Sequence, residues 1–189
     1  MRLTTVGYYA DFAIGLALIA WLAGMEVLAD GSLFHAIIWL NYVAMGFAVW
    51  TLVEYGVHRL IYHHVPFFER MHDAHHAEPN AFIGAPPVLG PVLILLMVYV
   101  PAHAVNPSIG NGVTSGVVGG YLAYMLVHHA VHHWNLSTTS WLYGTRHHHA
   151  LHHHHSEVAN FGVTTAFWDH VFGTAVTPKL RFPGQSEPH

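Results

Sequence analysis

Histidine is the residue whose number and spacing most clearly indicate chemistry in this sequence. The chain has 189 residues and 21 histidines. Six of these lie between residues 58 and 76, and eleven lie between residues 128 and 155. Imidazole nitrogen is a good ligand for iron, copper and zinc, whereas magnesium and calcium prefer oxygen. The two segments therefore predict a site for transition-metal ions.

The histidines recur at spacings that place them on common helix faces. Residues three or four apart lie on one face of an α-helix. Three groups have this spacing: His72, His75 and His76; His128 and His132; and His149, His152 and His153. His58 and His63 are five residues apart, about 140° around an α-helix. They can converge only if the helix ends between them or wraps the site, and Pro66 favours an ending nearby.

These histidines are too many for a single ion with a vacant coordination position. A first-row metal takes about four to six ligands, and a catalytic site keeps one position open. We therefore predict two metal ions and ten ligands: His58, His63, His72, His75, His76, His128, His132, His149, His152 and His153. The tract 147–155 alone would also fit a metal-sequestering tail or a purification tag. The matching spacing at residues 72–76 favours a folded site.

Several classes of protein are excluded by the composition. The chain has no cysteine, which excludes haem held by thiolate and iron–sulfur clusters held by cysteine. It has six Lys and Arg residues in total, too few for a nucleic-acid-binding surface. The four histidines outside the two segments are predicted not to be ligands: His35, His103, His170 and His189.

The elements that position the histidines are predicted to be membrane helices. Charged residues make up 8% of the chain and the mean hydropathy is +0.36, whereas soluble domains contain about 25% charged residues. Four apolar runs approach the roughly 20 residues that cross a bilayer: 8–28, 33–53, 87–105 and 109–127. A cleaved signal peptide, for the first run, and core helices of a soluble protein are the alternatives. The length of that run and the lack of charged helix faces disfavour both.

The predicted architecture is a single all-α domain over residues 1–189. Two membrane hairpins, at about 8–53 and 87–127, each precede a cytosolic metal-binding segment, at about 54–86 and 128–189. All six basic residues then fall on one side: Arg2, Arg59, Arg70, Arg146, Lys179 and Arg181. The positive-inside rule makes that side cytoplasmic. Both termini and the metal site are therefore expected in the cytoplasm.

Five segments between residues 54 and 174 are similar to those of a known family. They read EYGVHRLIYH, HDAHH, HHAVH, HHALHH and NFGVTTAFWDHVFGT. The chain resembles the fatty acid hydroxylase/sterol desaturase superfamily, and APPV at 85–88 resembles its fatty acid 2-hydroxylase branch most. The resemblance implies four transmembrane helices and a cytosolic helical cap that holds two iron ions on the same ten histidines. It also implies O2 as co-substrate.

The function expected from this resemblance is hydroxylation of a lipid acyl chain, with carbon 2 the favoured position. A sterol desaturase, a sterol methyl oxidase and a carotenoid hydroxylase are the alternative enzymes. A membrane metal transporter or metal buffer is the alternative outside enzymes, but a transporter needs ionisable residues along its path. The four runs contain no such ladder. Because zinc binds nitrogen sites more tightly than ferrous iron, zinc is possible in purified protein.

Further residues and partners are predicted around the metals. Glu54, Asp73 and Asp169 are candidate acceptors for the second ring nitrogen of a ligand histidine. Phe161 and Trp168 are candidates to line a slot for the lipid. No cytochrome b5 domain is fused to this sequence, so a separate electron donor is expected, which can be cytochrome b5, a ferredoxin or a reductase. A bacterial inner membrane and an endoplasmic reticulum membrane both fit, as the C-terminus has no retention signal.

Overall fold

The computed structural model describes residues 1–176, which fold into helices joined by short loops. We number the helices in chain order: α1 Thr5–Ala29, α2 Leu33–Gly56, α3 Pro66–Ala77, α4 Leu89–Val105, α5 Pro107–His133, α6 Trp141–His154 and α7 Phe167–Val171. A π-helical turn, Val57–Tyr62, continues α2. The all-α class is confirmed for the described residues. Lys179, Arg181 and His189 lie outside them.

Polar caps explain where the long helices begin. The side chains of Thr4, Ser32 and Ser140 each accept a hydrogen bond from a backbone amide in the first turn of α1, α2 and α6. At α5, the Asn106 side chain accepts from two amides and Pro107 occupies the first turn, where a missing amide hydrogen costs nothing. These caps fix the short connections between helices that the sequence predicts.

The apolar character of α1 and α2 is that of membrane helices. Both are long and apolar enough to cross a bilayer, and only 17% and 11% of their apolar windows are buried inside the protein. Core helices of soluble proteins are buried, so this exposure favours a lipid environment. The helix α4 is shorter, and α5 does not reach the same hydropathy. Two of the four predicted spans, α1 and α2, are thus long and apolar enough to cross a membrane. The other two spans remain predictions.

The central helix of the bundle is α5, which packs against α1, α2 and α4. Its contact with α2 is unusually close. A Cβ atom on Gly46 would overlap the carbonyl oxygen of Val113, and one on Gly116 would overlap that of Val43. A Cβ on Gly120 would lie 2.5 Å from the Trp50 ring. Small residues permit this approach, as the glycine content of α5 predicts.

The shorter helices gather at the end of the bundle where α2 and α5 carry their histidines. A small core forms at the C-terminal end of α5, where α6 packs on it. Its residues are Val127, Ala130, Val131, Leu142 and Val163. The first residues of the chain also reach this end. The Leu3 amide donates to the Phe82 carbonyl at 2.8 Å, which ties the start of α1 to the segment after α3.

Candidate metal centre

Two adjacent groups of imidazoles lie at this end of the bundle. The first group contains His75, His128, His132, His149 and His153, and the second contains His58, His63, His72 and His152. Within each group, one ring nitrogen of every residue lies within 4.8 Å of all the others. The structure therefore brings nine of the ten predicted ligands into two clusters. His76 stands outside both groups, but its Nε2 lies 3.0 Å from that of His72.

Each group is assembled from several elements. The helix α3 provides His75 to the first group and His72 to the second, and α6 likewise provides residues to both. The helix α5 contributes only to the first group and the end of α2 only to the second. Each of α3 and α6 carries histidines three or four residues apart on one face, and some of them belong to the first group and some to the second. The two groups are therefore adjacent.

The π-helical turn at the end of α2 solves the spacing problem of His58 and His63. An α-helix would place them about 140° apart, but π-helical bonding runs from residue i to i+5 and widens the turn. The two rings stack with centroids 5.5 Å apart, and the helix ends at Tyr62, just before His63. The helix therefore ends between the two histidines, as Pro66 predicts, and its wide last turn brings the two rings together.

The spacing of the ring nitrogens matches that of ligands on common metal ions. The Nε2 atoms of neighbouring rings lie 2.9 to 3.1 Å apart in both groups, with one pair at 3.5 Å. Two nitrogens bound at 2.0–2.1 Å and at right angles would be about 2.9 Å apart. The rings are thus arranged as ligands around ions.

Hydrogen bonding shows that some of these close contacts need a cation. His58 Nδ1 lies 2.5 Å from the Phe161 carbonyl oxygen, and His152 Nδ1 lies 2.8 Å from that of Ala159. A carbonyl only accepts, so each Nδ1 carries the hydrogen and, in neutral imidazole, each Nε2 carries a lone pair. These two Nε2 atoms are 3.0 Å apart. Two buried lone pairs at this distance repel each other unless a cation lies between them.

Burial keeps several of these histidines in the neutral form that binds metal. Burial and, second to it, the neighbouring imidazoles lower the pKa of His75 to about 3, and burial lowers the pKa of His152 to about 3. Burial also lowers the pKa of His63, whose Nε2 has no hydrogen-bond partner among the described residues. These nitrogens are available as ligands at neutral pH.

Among the described residues, Glu54 and Asp169 accept hydrogen bonds from groups other than the ten predicted ligands. The acceptors for His58 and His152 are backbone carbonyls of the loop before α7, not carboxylates. Glu54 instead accepts from the amides of Val163 and Thr164, at 2.8 and 2.7 Å. The two carboxylates therefore hold the loop whose carbonyls orient the imidazoles. Asp73 is exposed on α3, and its side chain makes no hydrogen bond within residues 1–176.

Asp169 is the centre of a buried network. Its carboxylate accepts from the Phe161 and Gly162 amides at 2.9 and 2.8 Å, from Thr174 Oγ1 at 2.7 Å, and from His148 Nε2 at 3.0 Å. Burial opposes ionisation of Asp169, but these hydrogen bonds outweigh it and lower its pKa. His148 was not among the predicted residues, and only its position next to His149 distinguishes it in the sequence.

The loop is also shaped by Asn160. Its φ of +58° lies in the left-handed region, which asparagine tolerates better than most residues. The Asn160 side chain pairs with the backbone of Val176, donating at 3.0 Å and accepting at 2.7 Å. This turn aims the carbonyls of Ala159 and Phe161 at the metal site. Sequence reasoning missed Asn160, although it lies in the NFG segment.

The two predicted substrate residues occupy different surroundings. The Phe161 ring is buried and packs against His58, His63 and His152, with centroids 5.5 to 5.7 Å apart. Trp168 is half-buried, and its Nε1 donates to Thr51 Oγ1 at 3.0 Å. Phe161 thus borders the second histidine group directly, whereas the polar end of Trp168 anchors α7 to α2.

Three of the four histidines predicted not to be ligands are described, and none belongs to either group. His35 Nε2 lies 2.6 Å from the Glu26 carboxylate, beside the loop between α1 and α2. The ring of His103 packs on that of Tyr99, with centroids 4.8 Å apart. His170 is exposed on α7.

The chain is similar in sequence to known proteins. Fatty acid 2-hydroxylases of Rattus norvegicus and Mus musculus are each 30% identical to the chain, which aligns over 74% of its length and 40% of theirs. That of Macaca fascicularis is 28% identical, over 71% of this chain and 39% of the relative. The chain therefore spans about two fifths of the length of these curated relatives.

A solved structure shows the same fold. It is that of full-length scs7p, in which only the hydroxylase domain is visible, and it superposes with a TM-score of 0.77 at 24% identity. The match covers 90% of this chain and 67% of that one. The sequence profile of the fatty acid hydroxylase family matches residues 43–174, which include both histidine groups and the loop that orients them. The chain belongs to the fatty acid hydroxylase family.

Proposed function

We propose that the chain is a membrane-bound di-iron oxygenase that hydroxylates carbon 2 of a lipid acyl chain. The observation that carries this proposal is the pair of adjacent imidazole groups, whose unprotonated nitrogens face one another at the spacing of metal ligands. The family and the printed names of the relatives support a fatty acyl substrate.

Iron is the proposed metal because the reaction requires redox chemistry. Iron held by the histidines would supply the redox chemistry that oxidation of an unactivated C–H bond by O2 requires, which acids and bases of the chain and redox-inactive zinc cannot supply. The ten predicted histidines are the proposed ligands, with His76 joining the second group through its contact with His72. Electrons would come from a redox donor such as cytochrome b5, a ferredoxin or a reductase.

The residues around the metals have positioning roles in this proposal. The Phe161 and Ala159 carbonyls hold the Nδ1 hydrogens of His58 and His152, so that each Nε2 points into the site. Glu54 and Asp169 keep the carbonyls in place. The buried Phe161 ring would exclude water from the second group and contact the acyl chain, and Trp168 is proposed to border the same slot.

We also propose the four-span topology for the whole domain. The helices α1, α2, α4 and α5 would cross the membrane as two hairpins, with the histidine groups in a cytosolic cap. The exposed apolar surfaces of α1, α2 and α4 support this arrangement. So do the four described arginines, all of which precede α1 or follow α2 or α5. This active site would then face lipids from the cytoplasmic leaflet.

The test is lipid mass spectrometry on a host that expresses the wild-type chain, His75→Ala or His147→Ala. The wild type should raise the content of 2-hydroxy acyl chains. His75→Ala should return it to the host background and should lose at least one of two bound metal ions per protein. His147 lies on α6 near His149 but is exposed and outside both groups, so His147→Ala should match the wild type.

Two outcomes would contradict the proposal. A changed sterol or carotenoid, in place of a hydroxylated acyl chain, would assign the site to another reaction of the superfamily. The second outcome concerns protein that has bound two ferrous ions and receives electrons from a chemical reductant. If this protein consumes no O2, it is a metal buffer. Ferrous loading is needed because zinc from the host would occupy nitrogen sites and abolish redox activity.

A further inference from the structure

A small cavity lies directly against the first histidine group. It has a volume of about 30 Å3, and its lining includes His75, His128 and His132 of that group. The remaining lining residues are Tyr8, His129, His133 and three from the segment after α3: Pro79, Ala81 and Ile83. A cavity of this size exceeds the roughly 10–15 Å3 that one water molecule requires. It can therefore receive a small polar group beside the metal ligands.

The other polar residues that line the cavity, Tyr8, His129 and His133, belong to neither histidine group. Tyr8 lies on α1, and its hydroxyl is 3.2 Å from Nδ1 of His129 on α5. His129 follows His128 in sequence, so its side chain points about 100° away around the helix. The His129 ring stacks on that of His133, with centroids 4.4 Å apart.

Aromatic packing fixes the position of the Tyr8 hydroxyl. The Tyr8 ring stacks on Phe82 at 4.4 Å between centroids, and Phe82 also packs on His133 at 5.6 Å. The backbone hydrogen bond from Leu3 to Phe82 holds the start of α1 against this segment. These contacts hold the Tyr8 side chain in the lining of the cavity.

The chemistry of carbon 2 requires a polar site at this place. Carbon 2 of an acyl chain is about 1.5 Å from the carbonyl carbon, so the carbonyl must lie beside the metals when carbon 2 reacts. A carbonyl removed from water needs a hydrogen-bond donor, because an unpaired buried acceptor is unfavourable. Among the cavity-lining residues outside the histidine groups, Tyr8 and His129 are a hydrogen-bonded pair that can supply one.

We infer that Tyr8 and His129 bind the carbonyl end of the acyl substrate and thereby select carbon 2. With the hydrogen on Nδ1, His129 donates to the Tyr8 oxygen and leaves the Tyr8 O–H free to donate to the carbonyl. This inference rests on the proposed acyl hydroxylation. It assigns Tyr8 and His129 as specificity-determining residues that touch the substrate.

The binding test does not depend on activity. Zinc-loaded protein, purified in detergent, is titrated with tritiated palmitamide, whose carbonyl and C16 chain resemble the acyl end of the proposed substrate. Tyr8→Phe removes one oxygen and keeps the ring stack, so it should weaken binding about 3- to 10-fold, the range for one hydrogen bond. The control is Tyr9→Phe, because Tyr9 is exposed and does not line the cavity. It should bind as the wild type does.

The product test reads the position of oxidation. In the host, Tyr8→Phe and His129→Phe should lower the ratio of 2-hydroxy chains to chains hydroxylated elsewhere, with metal content unchanged. Equal palmitamide binding by wild type and Tyr8→Phe would overturn the inference. Loss of metal from Tyr8→Phe would also overturn it, because the hydroxyl would then be a structural contact.

If the wild type hydroxylates no lipid, the proposed function fails. The palmitamide titration still decides whether the cavity binds a carbonyl.

Discussion

His58 and His152 couple metal binding to the stability of the fold. Each donates its Nδ1 hydrogen to a carbonyl of one loop, so their unprotonated nitrogens meet at 3.0 Å in a buried site. Without a cation this contact is repulsive, and with one it becomes a pair of coordinate bonds. A metal that binds the folded chain and not the unfolded one stabilises it by mass action.

We therefore expect a chelator to lower the midpoint of thermal unfolding of the purified protein by about 10 °C, since each 1 kcal/mol shifts a domain of this size by about 2–4 °C. Circular dichroism in detergent, with parallel metal analysis, measures the shift. In His152→Ala the chelator should have a smaller effect because one group has lost a ligand. His155 is exposed just after α6, so His155→Ala should keep the full effect.

An unchanged midpoint in wild-type protein that has demonstrably lost its metal would contradict this coupling. The histidines would then be stable without an ion, and their close nitrogens would have to be explained by bound protons. That alternative conflicts with the lowered pKa of His152, which keeps the ring neutral above a pH of about 3.

At the scale of elements, the two histidine groups could be predicted from helical periodicity, because the spacing of residues on a helix face is a local property of the sequence. The i,i+3 and i,i+4 spacings in α3 and α6 depend only on helix geometry, and the structure uses both. The π-helical turn that brings His58 and His63 together depends on packing at the end of α2, and nothing in the spacing of five predicts it. The sequence offered only the condition that the helix should end or wrap.

The role of the carboxylates could not be predicted for a related reason. Glu54 lies four residues before His58, and this spacing suggested a direct contact. The actual partners of Glu54 are Val163 and Thr164, more than 100 residues away. A loop folded back between the helices intervenes, and its conformation depends on Asn160 and Asp169 together. Sequence spacing carries information about one helix, but not about the loop that packs against it.

The close contact between α2 and α5 leads to a prediction about helix packing. Gly46→Ala would press a Cβ atom into the Val113 carbonyl, and backbone cannot move aside as a flexible side chain can. We expect a loss of about 1–3 kcal/mol in unfolding free energy and a lower metal content, because α2 and α5 carry ligands of different groups. Denaturation in detergent and metal analysis measure both.

Gly24→Ala is the matched control for this prediction. Gly24 lies within α1, and a Cβ there would meet nothing within 4 Å. Since alanine favours a helix over glycine by roughly 0.5–1 kcal/mol, the control should be neutral or slightly stabilising. Equal destabilisation by both substitutions would contradict the prediction, because the loss at Gly46 could then not be assigned to the close approach of α2 to α5.

At the scale of the whole molecule, the absence of cysteine makes the proposed topology directly measurable. Any introduced cysteine is the only thiol in the chain. Gly31 is exposed in the loop between α1 and α2, and Thr138 is exposed in the loop between α5 and α6. With four spans, these two positions lie on opposite sides of the membrane.

A membrane-impermeant maleimide should therefore label Gly31→Cys in intact spheroplasts of a bacterial host, and should label Thr138→Cys only after the membrane is permeabilised. If only α1 and α2 cross the bilayer, Thr138 still lies on the side of the N-terminus, so a third variant is needed. Ser108→Cys, in the first turn of α5, distinguishes the cases. Ser108→Cys is labelled from outside only when α4 and α5 also cross the membrane. If it is protected in intact cells, the second hairpin lies on the cytoplasmic side and only two helices cross the membrane.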